Sequence, residues 1–237
     1  MGYLLHKRIP VIYWIVIFLD CIFLHYDLSY IAITESLPVP LLLLYMMAGD
    51  TRVAYPRGKF FFYIGLIATF LGDVSQIVSD NDFFLTGTII AFTIMNFAYI
   101  ITMFSLNKFQ LKNILSVVVS IVILFFIAYS FLNFIGDEMG VFKNPVIIYI
   151  SVFGIMITLT VNIAGNPVYR TMALRYLIPG VLVFLVLHVL IGLNIFHYNH
   201  NNDLYGVAMV LEGLANFLLV KGMMKIYPQH KSIPVTV

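Results

Sequence analysis

Five ionisable side chains interrupt the long apolar stretches of this sequence. They are Asp20, Glu35, Asp73, His188 and Glu212. Placing a charge at the centre of a bilayer costs at least about 2.5 kcal/mol even on insertion scales, so residues of this kind usually carry function. Carboxyl groups beside an imidazole can donate and accept protons, which makes acid–base chemistry the first hypothesis. The alternative for each residue is structural: an inter-helix hydrogen bond, a satisfied core histidine, or a carboxylate at a solvated helix end.

These five residues are also predicted to share one depth in the membrane. If successive helices alternate in direction and rise about 1.5 Å per residue, each side chain falls roughly 9–12 Å inside the outer boundary of the hydrocarbon. The five belong to five different apolar stretches, which favours a single polar layer. We interpret this layer as the floor of a cavity that opens to the non-cytoplasmic side.

Small and polar residues accompany the acidic positions at helical spacing. The stripe on the third apolar stretch consists of Gly65, Thr69, Gly72, Asp73 and Gln76. On the last stretch Asn216 follows Glu212 by one turn, and on the seventh Gly180, Phe184, His188 and Gly192 share a face. Asn96 and Tyr99 lie deeper, on the fourth stretch, where they suit packing and hydrogen bonds between helices. The predicted substrate-binding residues are Gly72, Gln76, Asn96, Tyr99 and Asn216.

Eight apolar stretches must position these side chains, each near the ~20 residues that cross ~30 Å of hydrocarbon. They cover residues 9–26, 28–48, 59–79, 83–106, 112–134, 145–163, 176–196 and 204–225. Hydrophobic residues make up 62% of the chain, charged residues 10%, and the mean hydropathy is +1.00. Continuous rather than alternating apolar runs exclude a β-barrel. We predict an all-α fold, a polytopic membrane bundle of eight transmembrane helices, with residues 1–226 as one domain and 227–237 as a cytoplasmic tail.

The basic residues predict the orientation of the bundle. All but Lys143 of the 13 Lys and Arg residues lie at the chain ends or in alternate connectors. Cytoplasmic loops carry such an excess. The residues assigned to that side are Lys7, Arg8, Arg52, Arg57, Lys59, Lys108, Lys112, Arg170, Arg175, Lys221, Lys225 and Lys231. Both termini are therefore predicted to be cytoplasmic, and the expected location is a plasma membrane, the bacterial inner membrane.

Several function classes lack the residues that they need. The sequence has no Gly-Lys-Ser phosphate loop, no His-Glu-x-x-His and no Gly-x-Ser-x-Gly, so ATPase, zinc protease and α/β-hydrolase chemistry lack support. A single cysteine, Cys21, excludes an intrachain disulfide and a cysteine metal cluster. The net charge of +2 provides no basic patch for nucleic acid. We expect no cofactor and no metal.

An ordered series of motifs runs along the chain. It consists of Thr34-Glu35-Ser36-Leu37-Pro38, Gly65-Leu-Ile-Ala-Thr-Phe-Leu-Gly72-Asp73, Phe84-Leu-Thr-Gly87, Phe92, Asn96-Phe-Ala-Tyr99 and Ala215-Asn216. The series resembles the YhhN family of lysoplasmalogenase-like integral membrane proteins, and the resemblance covers nearly the whole chain. It implies eight membrane spans.

This chain departs from the family's pattern at positions that matter for chemistry. In the seventh span the family typically reads Gly-x-x-x-Phe-x-x-Ser-Asp, whereas His188 stands in this chain at the position of that Asp. Asn96 replaces a His of the family, and Glu35 stands near its Lys. The family's reaction, described below, passes through a cation, and a protonated His188 beside that cation would oppose its formation. The Asp-to-His change therefore predicts lost or altered activity.

The resemblance implies hydrolysis of the vinyl-ether bond of lysoplasmalogens, which releases a fatty aldehyde and a glycerophospho head group. This reaction needs a protonated acid, an anion near an oxocarbenium-like cation, and water. Asp73 is then the expected acid or water-activating group, with His188 as its proton partner. Glu35 or Glu212 would supply the anion. The expected partner is a membrane lipid or lysolipid substrate.

A different class of function would use the same polar layer. A non-enzymatic lipid or small-molecule binding protein, or a transporter, could hold a head group there or couple protons to transport. A transporter needs a second polar gate on the cytoplasmic side, and the inner halves of the predicted helices carry few buried polar groups. The sequence therefore favours the enzyme.

Overall fold

The computed structural model describes residues 2–26, 31–49, 56–77, 81–107, 113–198 and 201–229. These ranges are almost entirely helical and contain no strand. The helices are α1 (Gly2–His25), α2 (Ile31–Ser36), α3 (Pro38–Ala48), α4 (Pro56–Gln76), α5 (Asp82–Leu106), α6 (Ile114–Ile135), α7 (Lys143–Ile163), α8 (Arg170–Met172), α9 (Ile178–Phe196) and α10 (Asn202–Gln229). A 3-10 turn at Gly140–Phe142 precedes α7, and a π-helical turn at Ala173–Leu177 joins α8 to α9.

Seven segments are long and apolar enough to cross a membrane, counted over the described residues. They are His6–His25, Arg57–Gln76, Asp82–Leu106, Ile114–Ile135, Gly140–Ile163, Arg170–Phe196 and Asn202–Tyr227. Each overlaps one of the eight predicted stretches, and the remaining stretch contains the shorter apolar helix Ile33–Ala48. The prediction of an all-α, multi-pass membrane protein is confirmed. The cytoplasmic placement of both termini stays a prediction.

Helix α10 continues beyond the predicted end of the bundle. It ends at Gln229 rather than near residue 226. Residues 230–237 of the predicted tail lie outside the described part of the chain, as do 28–30, 78–79 and 112 of the predicted spans.

The second predicted span, residues 28–48, is broken at Leu37 into α2 and α3. Proline has no N–H, so Pro38 and Pro40 cannot donate to the carbonyls one turn earlier. The carbonyl oxygen of Thr34 accepts instead from the backbone N–H of Leu37, at 3.3 Å. The prediction of one continuous helix is thus corrected. The break leaves the end of α2 free to turn its polar side chains toward α1.

Close packing of α4 on α5 depends on two glycines. A Cβ at Gly65 would lie 2.2 Å from the ring of Tyr99, and one at Gly72 would lie 2.5 Å from the ring of Phe92. Both distances are far below van der Waals contact, so any larger side chain would separate the helices. This close approach fixes the face of α4 on which Asp73 is buried.

Helix α6 lies at the edge of the bundle, against α7 and α9. Most of its side chains are exposed, including Val122, Phe125 and Phe126. These apolar side chains suit contact with lipid tails, which are as apolar as leucine. Its inner face borders a cavity rather than a filled core.

The ends of α5 and α7 on the predicted cytoplasmic side are more polar than expected. The side-chain amides of Asn107 and Asn113 both donate to the carbonyl oxygen of Asn162, at 3.2 and 3.3 Å. Asn166 donates to the Oδ1 of Asn107 at 3.3 Å. The expectation of few buried polar groups in the inner half is therefore corrected. Two of these amides share one backbone carbonyl as acceptor and the third bonds to the side chain of Asn107, so the network ties the helix ends together.

Candidate functional site

Four carboxyl side chains from four helices meet at one small cavity, which we call the acidic cavity. They are Asp20 from α1, Glu35 from α2, Asp73 from α4 and Glu212 from α10. The cavity has a volume of about 20 Å³, enough for about one water molecule. Its other lining residues are Tyr13, Ile17, Pro38, Val39, Met209, Gly213 and Asn216. No Lys, Arg or His is among the described residues that line it.

The two carboxyl groups near the α2 end each accept a hydrogen bond from a hydroxyl. The Thr34 Oγ1 donates to the Oδ1 of Asp20 at 2.5 Å. The Tyr205 hydroxyl of α10 donates to the Oε1 of Glu35. The side chain of Gln76 lies within hydrogen-bond reach of that same tyrosine hydroxyl. These contacts hold Glu35 and Asp20 in place at the break between α2 and α3.

The other two carboxyl groups form a pair across α4 and α10. The carboxyl groups of Asp73 and Glu212 lie within hydrogen-bond reach of each other. A hydrogen bond between two carboxyl groups requires a proton on one of them. Tyr13 closes this end of the cavity, because its hydroxyl donates to the backbone oxygen of Gly213 at 2.7 Å. The arrangement can hold one transferable proton between two acids.

Several polar atoms around this pair are buried and make no hydrogen bond to any described residue. They are the Oδ1 of Asp73, the Oδ1 of Asn216 and the Oε1 of Gln76. Buried polar atoms are normally satisfied, so such atoms around a polar cavity indicate a site for water or a polar ligand group. No group of three or more His, Cys, Asp or Glu in the described ranges has the geometry of a metal site.

His188 does not line the acidic cavity. It lies among four aromatic rings, with centroid distances of 5.4 Å to Phe184, 4.9 Å to Phe153, 5.4 Å to Tyr149 and 5.9 Å to Phe92. These side chains, except Phe184, line a second and larger cavity. His188 was predicted to be the proton partner of Asp73, whereas the group within hydrogen-bond reach of Asp73 is the Glu212 carboxyl of α10.

The predicted binding residues divide between the two regions. Asn216 lines the acidic cavity, whereas Gln76 does not; Gln76 lies beside the Tyr205 hydroxyl that donates to Glu35. Gly72 is buried against the ring of Phe92. Tyr99 stacks on Phe62 at 5.1 Å, and Asn96 is fully buried. Neither of these last two side chains lines the acidic cavity.

Tyr13, Thr34 and Tyr205 belong to the site but were absent from the sequence-based selection. Helical spacing contains a signal for two of them. Tyr13 precedes Asp20 by two turns, and Tyr205 precedes Glu212 by two turns, so each shares a helix face with a carboxyl group. No comparable spacing points to Thr34, because its contact with α1 depends on the break after α2.

Comparison with known proteins identifies the family. The model of the YhhN family matches residues 30–223, which is most of the chain, so the protein belongs to this lysoplasmalogenase-like family. The resemblance inferred from the motifs is therefore confirmed. Searches of curated proteins and of solved structures returned no match. The matched region contains Glu35, Asp73 and Glu212, whereas Asp20 precedes it.

Proposed function

We propose that this YhhN-family protein hydrolyses the vinyl-ether bond of a lysophospholipid at the edge of the acidic cavity, whose volume of about 20 Å³ holds the attacking water. The observation that carries the proposal is the pairing of two carboxyl groups, those of Asp73 and Glu212, within hydrogen-bond reach of each other at the acidic cavity. Vinyl-ether hydrolysis needs a proton donor and an anion close together, and a carboxyl pair that shares one proton provides both.

The first step is protonation of the substrate. The protonated member of the pair donates its proton to the alkenyl carbon that is further from the ether oxygen. The double bond is lost and positive charge develops on the other alkenyl carbon and on the oxygen. The pair is then fully ionised and faces an oxocarbenium-like cation, which two carboxylates stabilise. No Lys, Arg or His among the described lining residues competes with that cation.

The second step consumes one water molecule. Water adds to the cationic carbon, and one of its protons returns to the carboxyl pair. The resulting hemiacetal breaks its bond to the head-group oxygen, which takes up the remaining hydroxyl proton and becomes an alcohol. The products are a long-chain aldehyde and a glycerophospho compound, with no net change in protons. Glu35, held by Tyr205, is the group we assign to orient this water.

This assignment gives no chemical step to His188. If residue 188 supplied one of the two carboxyl groups, a histidine there would leave the pair with a single acid. Here Glu212 of α10 supplies the second carboxyl group instead, and the aromatic surroundings of His188 suit an apolar ligand. The Asp-to-His change is therefore compatible with hydrolysis.

Product analysis tests the proposal. Protein in lipid nanodiscs is incubated with a lysoplasmalogen and, separately, with the acyl-linked lysophospholipid of the same head group, and products are identified by mass spectrometry. We expect aldehyde from the vinyl-ether substrate, and loss of that aldehyde in Glu212→Gln but not in the control Asp203→Asn, which changes an exposed acid of the same helix. Unchanged lysoplasmalogen would reject the hydrolase and favour a binding protein or transporter.

We also propose that the protein resides in a plasma membrane with both termini in the cytoplasm. The distribution of Lys and Arg supports this orientation. In that orientation the acidic cavity lies in the outer half of the bundle, so the substrate enters from the outer leaflet.

A further inference from the structure

A second cavity, far larger than the acidic one, lies between α5, α6, α7 and α9. It has a volume of about 440 Å³, within the range of small-molecule sites, about 300–1,000 Å³. Its lining is almost wholly aliphatic and aromatic, and the described residues around it include no Lys, Arg, Asp or Glu. We call it the apolar cavity. A charged ligand group would find no counter-ion there, so the cavity suits an uncharged ligand.

Among the described residues that line the apolar cavity, buried polar atoms without a hydrogen bond occur on two neighbouring side chains. His188 and Tyr149 both line the cavity, and the Nε2 of the first and the hydroxyl of the second are buried without a hydrogen-bond partner. The Tyr149 hydroxyl lies beside the side-chain amide of Asn96, but the geometry leaves both groups unbonded. The hydroxyls of Thr88 and Ser151 already donate to backbone oxygens of their own helices. The ligand therefore needs one hydrogen-bonding group, at one end.

The apolar cavity borders the lipid-facing surface of α6. Ile121 and Phe125 line the cavity and are also exposed, by 51% and 70%. On the opposite side, Phe92 lines the cavity and packs against Gly72, which directly precedes Asp73. Phe92 thus contacts both the apolar cavity and the residue next to Asp73.

We infer that the apolar cavity binds a long-chain fatty aldehyde. Its lining matches a single hydrocarbon chain, and the unpaired polar groups on its described lining residues can serve one terminal oxygen atom. A fatty acid would bring a charge, and a phospholipid a head group, that nothing in the lining can neutralise. The identity of the ligand rests on the proposed function, because that reaction releases the aldehyde. The cavity is where this product is held before it enters the membrane.

Photolabelling tests the inference without requiring turnover. The protein in nanodiscs is mixed with a diazirine-bearing hexadecanal and irradiated, and the light-dependent adducts are mapped by peptide mass spectrometry. We expect adducts on the parts of α5, α6, α7 and α9 that line the apolar cavity. Label spread evenly over lipid-facing residues, such as those on the outer face of α6, would overturn the inference.

A cavity-filling variant makes the test specific. A Cβ at Gly154 meets no atom within 4 Å, and this residue lines the apolar cavity. Gly154→Leu should therefore fold and take up part of the chamber, and cavity labelling should fall below that of the control variant. The control is Ile148→Phe, which enlarges an exposed side chain of the same helix outside the cavity. Full labelling of Gly154→Leu would place the ligand elsewhere.

Competition identifies the chemistry of the ligand. Hexadecanal should compete better than hexadecane, and better than hexadecanoate. Changing His188→Phe and Tyr149→Phe together should remove the preference for the aldehyde over the alkane, which we expect to be about three- to tenfold for one hydrogen bond. Equal competition by hexadecane in the unchanged protein would mean a general lipid-filled space, and stronger competition by hexadecanoate would mean a fatty-acid site. Either result overturns the assignment.

The inference and the proposed function fail separately. Labelling is repeated with Asp73→Asn, which should leave the apolar cavity intact. Specific labelling without aldehyde production from lysoplasmalogen would retain the site and reject the hydrolase. Aldehyde production without specific labelling would retain the hydrolase and reject the site.

Discussion

Replacing Asp73 by asparagine separates proton transfer from packing in the acidic cavity. Asparagine has nearly the same shape, and its amide can donate to the Glu212 carboxylate that lies within reach. The substitution therefore keeps a hydrogen bond and removes only the transferable proton. Because Oδ1 of Asp73 has no described hydrogen-bond partner, no further bond is lost. We expect the free energy of unfolding to change by less than about 1 kcal/mol.

The expected effect on catalysis is much larger. A positioned acid or base contributes about 10²–10⁴ to the rate, so the turnover number of Asp73→Asn should fall by that factor. The assay is the initial rate of aldehyde formation from lysoplasmalogen in nanodiscs. Thermal unfolding of the same preparations provides the control for folding. It is measured as the amount of protein that stays in solution after heating.

A double-mutant cycle tests whether the two carboxyl groups act as a unit. If Asp73 and Glu212 share the same proton, Glu212→Gln alone should cost about as much as Asp73→Asn alone, and the double variant should cost little more than either. Independent contributions of about 10³ each would multiply to about 10⁶. A parental rate in Asp73→Asn, or a fully multiplicative double variant, would refute the shared-proton mechanism.

Three further results are expected. Gly65→Ala should destabilise the bundle by about 1–3 kcal/mol in a thermal unfolding assay, because the added Cβ would meet a buried ring. In the control Gly87→Ala the nearest atom to the added Cβ lies at 3.5 Å, so stability should change by about 1 kcal/mol at most. Equal effects of the two substitutions would contradict the α4–α5 packing. Tyr205→Phe should lower the rate about tenfold or more, since it removes a hydrogen bond to a carboxyl group, and an unchanged rate would remove that group from the mechanism. In a cysteine-free background, a cysteine at Asn201 should react with an impermeant maleimide from outside the cell and one at Arg57 should not; the reverse pattern would invert the topology.

The sequence alone pointed to the carboxyl groups of the acidic cavity because a carboxyl group is costly inside a membrane. Glu35, Asp73 and Glu212 stood out for that reason, and helical spacing linked Asn216 to the last of them. Depth along the helix could also be estimated from residue number. What depth cannot supply is the order of helices around the bundle. His188 was predicted to lie at the same membrane depth as Asp73, but α9 places its side chain at the apolar cavity.

The second span was predicted as one helix because two sequence features point in different directions there. Its length and hydropathy predicted one crossing helix, whereas Pro38 and Pro40 each remove a backbone donor. Local hydrogen bonding decided the outcome at Leu37. The consequence is functional, since the contact of Thr34 with Asp20 depends on how α2 ends.

The two cavities suit the two parts of one amphiphilic substrate. The vinyl-ether group needs proton donors and anions, which are found where α1, α2, α4 and α10 meet, whereas the hydrocarbon chain needs an apolar chamber, which is found between α5, α6, α7 and α9. Phe92 packs against the glycine beside Asp73 and also lines the apolar cavity. In the proposed reaction, Phe92 would therefore contact both the hydrocarbon chain and the helix that carries Asp73. The surroundings of His188 are aromatic and uncharged, which agrees with this arrangement. A carboxylate at that position would face the hydrocarbon chain without a partner.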